Sequence, residues 1–347
     1  MAGPDAGRGG DGGRVTIAAI AEQAGVSVPT VSKVLNGRND VSQATRERVE
    51  KMLRQGGYRR RRSSTTSPVP MIDLVFHELG NPWAIELIRG VEDAARDVGV
   101  EVVLSECGAS RRPRQAWIDS VLNRQPVGII MVFSDLAPDQ RAQLDARQIP
   151  YVVVDPVGED DETLASIGSN NWSGGRLATR HLIDLGHRRI AAISGPTDTI
   201  CARARMDGYA DALRTAGIAE DDDLIRAGNF SVDSGYAAGR ELLALPDRPT
   251  AIFAGSDLQA LGVLRAAREA GLDVPGDLSV VGYDDLPLSE WVWPALTTIE
   301  QPLYEMAVQA TAMVLGMSRG EPPISHRMDL AVRLIARQST APVTESG

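Results

Sequence analysis

The sequence has little of several residue types on which other classes of protein depend. Its 347 residues include only two cysteines, four histidines and 4% aromatic residues. Cys107 and Cys201 lie far apart and without metal-ligand spacing, so the sequence predicts reduced thiols and no metal site. No run reaches the length of about 18 apolar residues that a membrane-spanning helix needs. The N-terminus also lacks the apolar core of a signal peptide, and we therefore expect a cytoplasmic protein.

The sequence motifs of common enzymes are missing as well. There is no Gly-x-x-x-x-Gly-Lys phosphate loop, no Gly-x-Gly-x-x-Gly after a strand, and no Gly-x-Ser-x-Gly elbow. The histidines are widely spaced apart from His181 and His187, whose separation places them on different faces of a helix. The sequence therefore predicts no catalytic residue and no cofactor.

Charge is divided unevenly along the chain. The overall net charge is −10, but residues 1–62 hold twelve Lys and Arg against six Asp and Glu, and the remainder holds 24 against 40. This asymmetry predicts a basic head that contacts nucleic acid, attached to an acidic body that repels phosphate. The length predicts two or three domains with enough residues to bury a core.

Residues 16–36 have the pattern of two short helices joined by a tight turn. Thr16 is a suitable N-cap for the first helix, and Gly25 permits a sharp exit because glycine adopts positive φ without steric cost. Ser27 is the predicted cap of the second helix, and Pro29 is tolerated in its first turn. This is the pattern of a helix-turn-helix, with an ordinary αα-hairpin as the alternative.

The outward face of the second helix is short and carries one basic residue. We expect Val28, Pro29 and Lys33 to face base edges in the major groove. The other predicted DNA contacts are polar groups suited to phosphates and the basic run of the linker: Thr16, Ser27, Thr30, Ser32, Asn36, Arg59, Arg60, Arg61 and Arg62. A third helix is expected from Ser42 to about Gln55, which completes a head over 15–58.

Beyond the head, the pattern predicts a second architecture. Residues 1–14 are expected to be a disordered tail, and the Arg-, Ser- and Pro-rich segment 59–70 is expected to be a linker. From residue 71 short apolar strands alternate with helices, which predicts an α/β core of two doubly wound parallel-sheet subdomains. We place the core at 71–340, divided into about 71–165 plus 302–326 and 166–301 plus 327–340, with a tail at 341–347.

Polar residues follow several of the predicted core strands, where parallel sheets bind ligands. Asp155, Ser256 and Asp284 each follow a strand, and Arg205 lies near the start of a helix that follows another. Carboxylates accept from neighbouring hydroxyls and a guanidinium donates to two oxygens, so this set suits a small polyol. Trp83 and Phe230 are candidates to cover the apolar face of a sugar. Taken singly, each residue has an ordinary alternative as a cap or as core filler.

Several segments resemble one known family. Ala21-Glu22-Gln23-Ala24-Gly25-Val26-Ser27, followed by Thr30-Val31-Ser32-Lys33-Val34-Leu35-Asn36, is similar to the DNA-binding signature of the lac repressor family of bacterial transcription regulators. The resemblance continues at Val41-Ser42, Thr45-Arg46 and Gly57-Tyr58. In the core it is carried by Arg203-Ala204-Arg205-Met206-Asp207-Gly208-Tyr209, Asn229-Phe230, Gly282-Tyr283-Asp284-Asp285 and Pro294-x-Leu296-Thr297-Thr298-Ile299-x-Gln301.

The resemblance implies roles for individual residues. It places Arg205 on the effector-contacting position of the family, Asp284 and Gln301 at the pocket, and Phe230 on the position of a stacking aromatic. His77 completes the expected effector-binding set. The sequence departs from the family twice. Ser256 stands where asparagine is common, and nothing in 59–70 matches the leucine that the family inserts into the minor groove at the operator centre.

The resemblance implies a homodimeric repressor with a periplasmic-binding-protein-like effector domain. We expect it to bind a roughly palindromic DNA operator and a small-molecule effector, with a sugar inducer favoured. The runner-up is a co-repressor such as a nucleobase. A solute-binding protein of a transporter and an enzyme are the competing classes.

Overall fold

The structure is a computed structural model that describes residues 16–35, 41–55, 69–107, 111–158, 161 and 163–343. Some predicted features lie outside the described residues. These are the tail 1–14, most of the linker 59–70, and the predicted DNA contacts Asn36, Arg59, Arg60, Arg61 and Arg62.

Twelve α-helices, one short 3₁₀ helix (Asp222–Leu224) and twelve strands occur in the described part of the chain. The helices are α1 (Ile17–Ala24), α2 (Val28–Leu35), α3 (Gln43–Gln55), α4 (Pro82–Arg96), α5 (Gln115–Arg124), α6 (Pro138–Ala146), α7 (Asn171–Asp184), α8 (Ile200–Thr215), α9 (Val232–Leu243), α10 (Asp257–Glu269), α11 (Leu288–Trp291) and α12 (Leu303–Ser318). The strands are β1 (Met71–Phe76), β2 (Glu101–Glu106), β3 (Gly128–Val132), β4 (Tyr151–Val154), β5 (Ser166–Ser169), β6 (Ile190–Ile193), β7 (Ile225–Arg226), β8 (Ala251–Ala254), β9 (Ser279–Asp284), β10 (Thr297–Glu300), β11 (Arg327–Leu330) and β12 (Arg333–Ile335). None of these helices is both long and apolar enough to cross a membrane.

The described chain divides into two compact units. The first contains α1, α2 and α3 together with α5 and α6, and the second contains both sheets and the remaining helices.

The first three helices form the predicted helix-turn-helix head. The Thr16 hydroxyl accepts a hydrogen bond from the backbone N–H of Ala19 at 3.2 Å, which caps α1. Gly25 ends α1 with φ +65°, and the Ser27 hydroxyl accepts from the N–H of Thr30 at 3.3 Å to cap α2. A small core holds the three helices together, with the buried residues Ile20, Ala21, Ala24, Val31, Val34, Leu35, Val49 and Leu53.

The second unit contains two six-stranded sheets with the same internal order. The first runs β11-β5-β4-β3-β1-β2, and every neighbouring pair is parallel. The second runs β12-β10-β9-β8-β6-β7, parallel except for β12 against β10. The strand order reverses between β1 and β3 and again between β6 and β8. These are the points at which doubly wound sheets bind ligands, and the predicted fold class is confirmed.

The predicted division between the two subdomains is wrong at two segments. The predicted second subdomain includes 166–169 and 327–330, but β5 pairs with β4 and β11 pairs with β5, so both segments belong to the first sheet. The stretch Arg327–Ile335, predicted as one strand, is split into β11 and β12, which lie in different sheets. The sequence of β5, Ser-Ile-Gly-Ser, has no apolar run. Its position in the sheet is set by backbone pairing with β4 and β11.

The chain passes between the subdomains three times in the part that the structure describes. The crossings follow β5, follow β10, and lie between β11 and β12. After the second crossing, α12 returns to cover the first sheet, where Met306, Ala307 and Ala310 are fully buried in its core. The first subdomain is therefore completed by residues from far along the chain.

Helices α7 and α8 approach each other at glycines. A Cβ added at Gly208 would collide with the carbonyl oxygen of Trp172, and one added at Gly175 would collide with the carbonyl oxygen of Arg205. The backbones are in direct contact, so neither helix can accommodate a larger residue without moving. This contact fixes the position of α8, which carries Arg205.

We expect Gly208→Ala to lower the free energy of unfolding by about 1–3 kcal/mol, because the added methyl group must separate two packed helices. Urea unfolding followed by circular dichroism measures the change. The matched control is Gly316→Ala in α12, where the nearest atom would lie 3.5 Å away. There the better helix propensity of alanine should stabilise by up to about 1 kcal/mol. Equal stability of the two variants would contradict the close packing at Gly208.

Candidate functional site

A cleft of about 640 Å³ opens where the strands of both sheets end. From the first subdomain it is lined by residues that follow β1, β2, β3 and β4 and by the start of α4. From the second it is lined by residues that follow β6 and β7. Its described lining is Phe76, His77, Glu78, Asn81, Trp83, Arg111, Arg112, Val132, Phe133, Asp135, Val157, Gly158, Pro196, Asp198, Thr199, Asn229 and Phe230. The cleft therefore lies at both reversals of strand order, as expected for a ligand site.

Aromatic rings lie on both walls of the cleft. Trp83 and Phe133 of the first subdomain have ring centroids 4.9 Å apart with an interplanar angle of 38°. Phe230 lines the second subdomain, and its ring packs against Gly195 so closely that a Cβ there would collide with it. Gly195 is thus required for the position of the ring. Flat apolar surfaces of this kind cover the C–H faces of sugars and the faces of heterocycles.

The two arginines on the cleft wall are paired with carboxylates. Arg112 donates to Asp135 at 2.8 and 3.2 Å, and the N–H of Asp135 donates to the carbonyl of Arg111 at 3.0 Å. The Arg111 side chain reaches across to Asp198 of the second subdomain at 3.0 Å. Gly158 strengthens this junction because its N–H donates to the carbonyl of Asp198 at 2.9 Å.

A buried polar network centred on Arg205 lies next to the cleft. Arg205 is only 3% exposed, and its guanidinium lies 3.6 Å from the Tyr283 ring centroid and 5.2 Å from that of Phe230. It donates to Asn171 Oδ1 at 2.8 Å, to the carbonyl of Gly255 at 2.5 Å and to Gln301 Oε1 at 2.9 Å.

The carboxylates around this guanidinium outnumber it. Asp284 Oδ1 lies 3.7 Å from Arg205 Nη1, and Asp155 Oδ2 accepts from Gln301 Nε2 at 3.3 Å. A third carboxylate, Asp257, accepts from Thr298 Oγ1 at 2.6 Å. Burial raises the pKa of Asp155 to about 6, against the attraction of Arg205, and burial likewise raises the pKa values of Asp284 and Asp257. Asp155 follows the first sheet and Asp284 ends a strand of the second, so the network joins the two subdomains.

Several site residues adopt the left-handed backbone conformation that side chains rarely occupy. Phe133, Asp155 and Phe230 have φ of +47°, +49° and +66°, and Asp284 has φ +114°. Each lies where a strand ends, so the strain accompanies the turn that directs the side chain away from the sheet. Strained backbone of this kind is concentrated at functional sites.

The structure divides the predicted effector-binding residues into two groups. His77, Trp83 and Phe230 line the cleft, whereas Asp155, Arg205, Asp284 and Gln301 form the buried network. Ser256 has a different position. Its hydroxyl accepts from the N–H of Gln259 as the N-cap of α10 and donates to the carbonyl of Phe230 at 3.1 Å, so it anchors the Phe230 loop.

Sequence reasoning missed most of the polar wall. Arg111, Arg112, Asp135 and Asp198 were not predicted, although the rule that ligands bind at strand ends points to Asp135. Asn171, the first residue of α7, was also missed as a partner of Arg205. The pairing of Arg111 with Asp198 joins residues 87 positions apart, and no local sequence pattern predicts it.

The head presents the predicted face of α2 to solvent. Val28 is 46% exposed, Pro29 and Lys33 are also exposed, and Thr30 and Ser32 are half-buried. Val31, Val34 and Leu35 point into the core of the head. The exposed side chains of α2 therefore form a ridge that includes Lys33, and a major groove is wide enough to admit such a helix.

These features define a class of protein: a helix-turn-helix head joined to a two-subdomain ligand-binding core. Comparison with known families agrees. Residues 16–61 match the model of bacterial regulatory proteins of the lacI family, and residues 179–340 match the periplasmic binding protein-like domain.

Individual relatives extend the match to almost the whole chain. The HTH-type transcriptional repressor CytR of Escherichia coli (strain K12) is 34% identical over 94% of this chain and 96% of its own. The structure of a transcriptional regulator CelR–cellobiose complex has a TM-score of 0.71 at 34% identity, covering 94% of this chain and all of that one. The lac repressor dimer bound to operator and the anti-inducer ONPF has a TM-score of 0.70 at 30% identity, with 95% and 100% covered.

The chain belongs to the lacI family of bacterial regulatory proteins, and it is a DNA-binding transcriptional regulator. The three relatives are named as regulators or repressors rather than as enzymes. The residues that bind DNA and effector remain the predictions made from the sequence.

We expect Asp155→Asn to stabilise the protein above about pH 7 and to have little effect near pH 4. A raised carboxyl pKa means that the protonated form stabilises the fold below the ordinary value of 3.8, and that this stabilisation is lost as pH rises through about 6. The difference corresponds to at most roughly 3 kcal/mol at 1.36 kcal/mol per pKa unit. Thermal melting of both proteins from pH 4 to pH 8 measures it.

The control for this pH dependence is Asp207→Asn, which removes an exposed carboxylate from α8. Its melting temperature should follow that of the parent protein at every pH. If Asp155→Asn also follows the parent throughout, burial does not raise the pKa of the Asp155 carboxyl.

Proposed function

We propose that this regulator is a homodimeric repressor that leaves its operator when a small sugar binds in the cleft. The observation that carries this proposal is the lining of the cleft, in which aromatic rings face hydrogen-bonding side chains from both subdomains. Aromatic faces cover the apolar side of a sugar, and carboxylates accept from its hydroxyls.

The relatives support this proposal by what they bind. The CelR structure contains cellobiose, and the lac repressor structure is a dimer on operator DNA. In this chain Trp291 and Trp293 are 80% and 91% exposed, and large apolar side chains at the surface favour contact with a second copy. A dimer places two heads on the two halves of a palindromic operator. Because its target is operator DNA inside a bacterial cell, the proposed regulator acts in the cytoplasm.

The proposed switch depends on the junction between the subdomains. A ligand in the cleft contacts both walls at once, so it favours one relative arrangement of the subdomains over another. Phe230 lines the cleft and also lies 5.2 Å from the Arg205 guanidinium. Movement of this ring on ligand binding would therefore reach Arg205, Asp284 and Gln301, which connect the second subdomain to Asp155 of the first.

We expect Lys33→Ala to weaken binding to the cognate operator by about 1–3 kcal/mol, with little effect on random DNA, because Lys33 is predicted to contact a guanine edge. Fluorescence anisotropy titrations against both DNAs at fixed salt measure the difference. Lys51→Ala provides a comparison, since it removes an exposed lysine of α3 without altering α2. Equal losses on both DNAs for Lys33→Ala would show that this lysine contacts only phosphate.

We expect Arg205→Gln and Asp284→Asn to weaken effector binding by at least about tenfold. Each variant removes charge-assisted contacts, worth roughly 1.5–3 kcal/mol, from the buried network that lies against Phe230 of the cleft, and 1.4 kcal/mol corresponds to one decade of affinity. Operator titrations with and without sugar test this. For an inducer the variants stay on the operator when sugar is added, whereas for a co-repressor they fail to bind it.

Two results would count against the assignment of this pair. Thermal melting must first show that both variants are folded, since each substitution changes a buried network. If the folded variants then respond to effector like the parent protein, Arg205 and Asp284 do not contribute to effector binding.

A further inference from the structure

We infer that the effector is a neutral sugar of two rings rather than a monosaccharide or a phosphorylated sugar. This inference rests on the proposed sugar-binding function and specifies the ligand further. It follows from the volume of the cleft, the pairing of its charges and the placement of its aromatic rings.

The cleft is too large for one sugar ring. Its volume is about 640 Å³. Even at the ~30 Å³ that a water molecule occupies in the liquid, the twelve non-hydrogen atoms of a hexopyranose take up no more than roughly 360 Å³. A single ring would leave room for many waters between it and one of the walls. The twenty-three non-hydrogen atoms of a hexose disaccharide take up at most roughly 690 Å³ by the same upper limit, so the cleft has room for two sugar rings.

The charges on the wall favour a neutral ligand. The two arginines of the described lining are already held by carboxylates, Arg112 by Asp135 and Arg111 by Asp198. Glu78 adds a third carboxylate to the lining, so acidic groups outnumber guanidinium groups. A phosphate or carboxylate would enter a wall with excess negative charge, where each guanidinium already shares its charge with a carboxylate. Hydroxyls can instead donate to the remaining carboxylate lone pairs without displacing either arginine.

The aromatic rings provide one apolar surface for each of two sugar rings. Phe133, backed by the largely buried ring of Trp83, forms one surface on the first subdomain, and Phe230 forms another on the second. A disaccharide placed along the cleft can use both surfaces, and its two rings then contact different subdomains. One sugar ring stacked on either surface contacts the opposite wall less, so it does less to hold the two walls together.

Calorimetric titration of the full-length protein tests this inference. Cellobiose, maltose, lactose, sucrose and trehalose are compared with glucose, galactose and fructose, and with glucose 6-phosphate. We expect at least one disaccharide to bind about 100-fold more tightly than its constituent monosaccharides and than glucose 6-phosphate. The inference is overturned if a monosaccharide or the phosphate binds as tightly as the best disaccharide, or if no disaccharide binds.

The first of these failures leaves the proposed function standing, because a sugar still binds. Absence of binding by every sugar, together with operator release or recruitment by adenine, guanine or cytidine, would overturn the proposed function as well. Operator titrations with the same compounds therefore separate the two failures.

A substitution distinguishes the contribution of aromatic stacking to sugar affinity from that of the polar groups of the cleft. Phe133→Leu removes one ring of the Trp83–Phe133 surface and should reduce affinity for the best disaccharide by about tenfold, which removes much of its advantage over its monosaccharides. Trp172→Leu is the matched control, since Trp172 is 41% exposed on α7 and does not line the cleft. Equal affinity of the folded Phe133→Leu protein and the control for the disaccharide would overturn the role of this surface.

Discussion

The buried guanidinium of Arg205 is the interaction on which the core of this protein depends. It holds the first residue of α7, the carbonyl that follows β8, the side chain after β10, and the carboxylate of Asp284. A charge that is 3% exposed is tolerated only when its donors are satisfied, and this one has partners on four elements. Removing it would leave Asp284 buried beside the other carboxylates, so the second subdomain and its junction with the first depend on one side chain.

The surplus of carboxylates around Arg205 explains why this junction is a place where the protein can change. Buried groups with raised pKa values and backbone in the left-handed region both cost stability, and here they occur at the same strand ends. A site that is less stable than the sheets on either side of it can be shifted by modest ligand contacts. Phe230 lies between this network and the open cleft, which places the strain next to the ligand.

The sequence predicted the helices and strands that have a clear local pattern of apolar residues or caps. The head followed from caps and from the spacing of Ile20, Val31 and Val34, and strands such as β3 and β8 followed from short apolar runs. It did not predict α6, in which only Gln140 and Leu144 are buried, or β5, whose serines and glycine give no signal. At the site, the strand-end rule found Asp155 and Asp284. The rule could not find the bond between Arg111 and Asp198, because contacts across the cleft depend on how two sheets face each other.

The three chain crossings between the subdomains have a mechanical consequence. Only Ala331 and Val332 separate β11 from β12, and the other crossings are about as short. Short tethers resist stretching, since each residue spans at most ~3.6 Å even when fully extended. They yield to torsion of a few backbone dihedrals, so the subdomains are freer to rotate relative to each other than to move apart. In such a molecule, ligand binding in the cleft changes the angle between the two subdomains. It does not change the distance between them at the tethers.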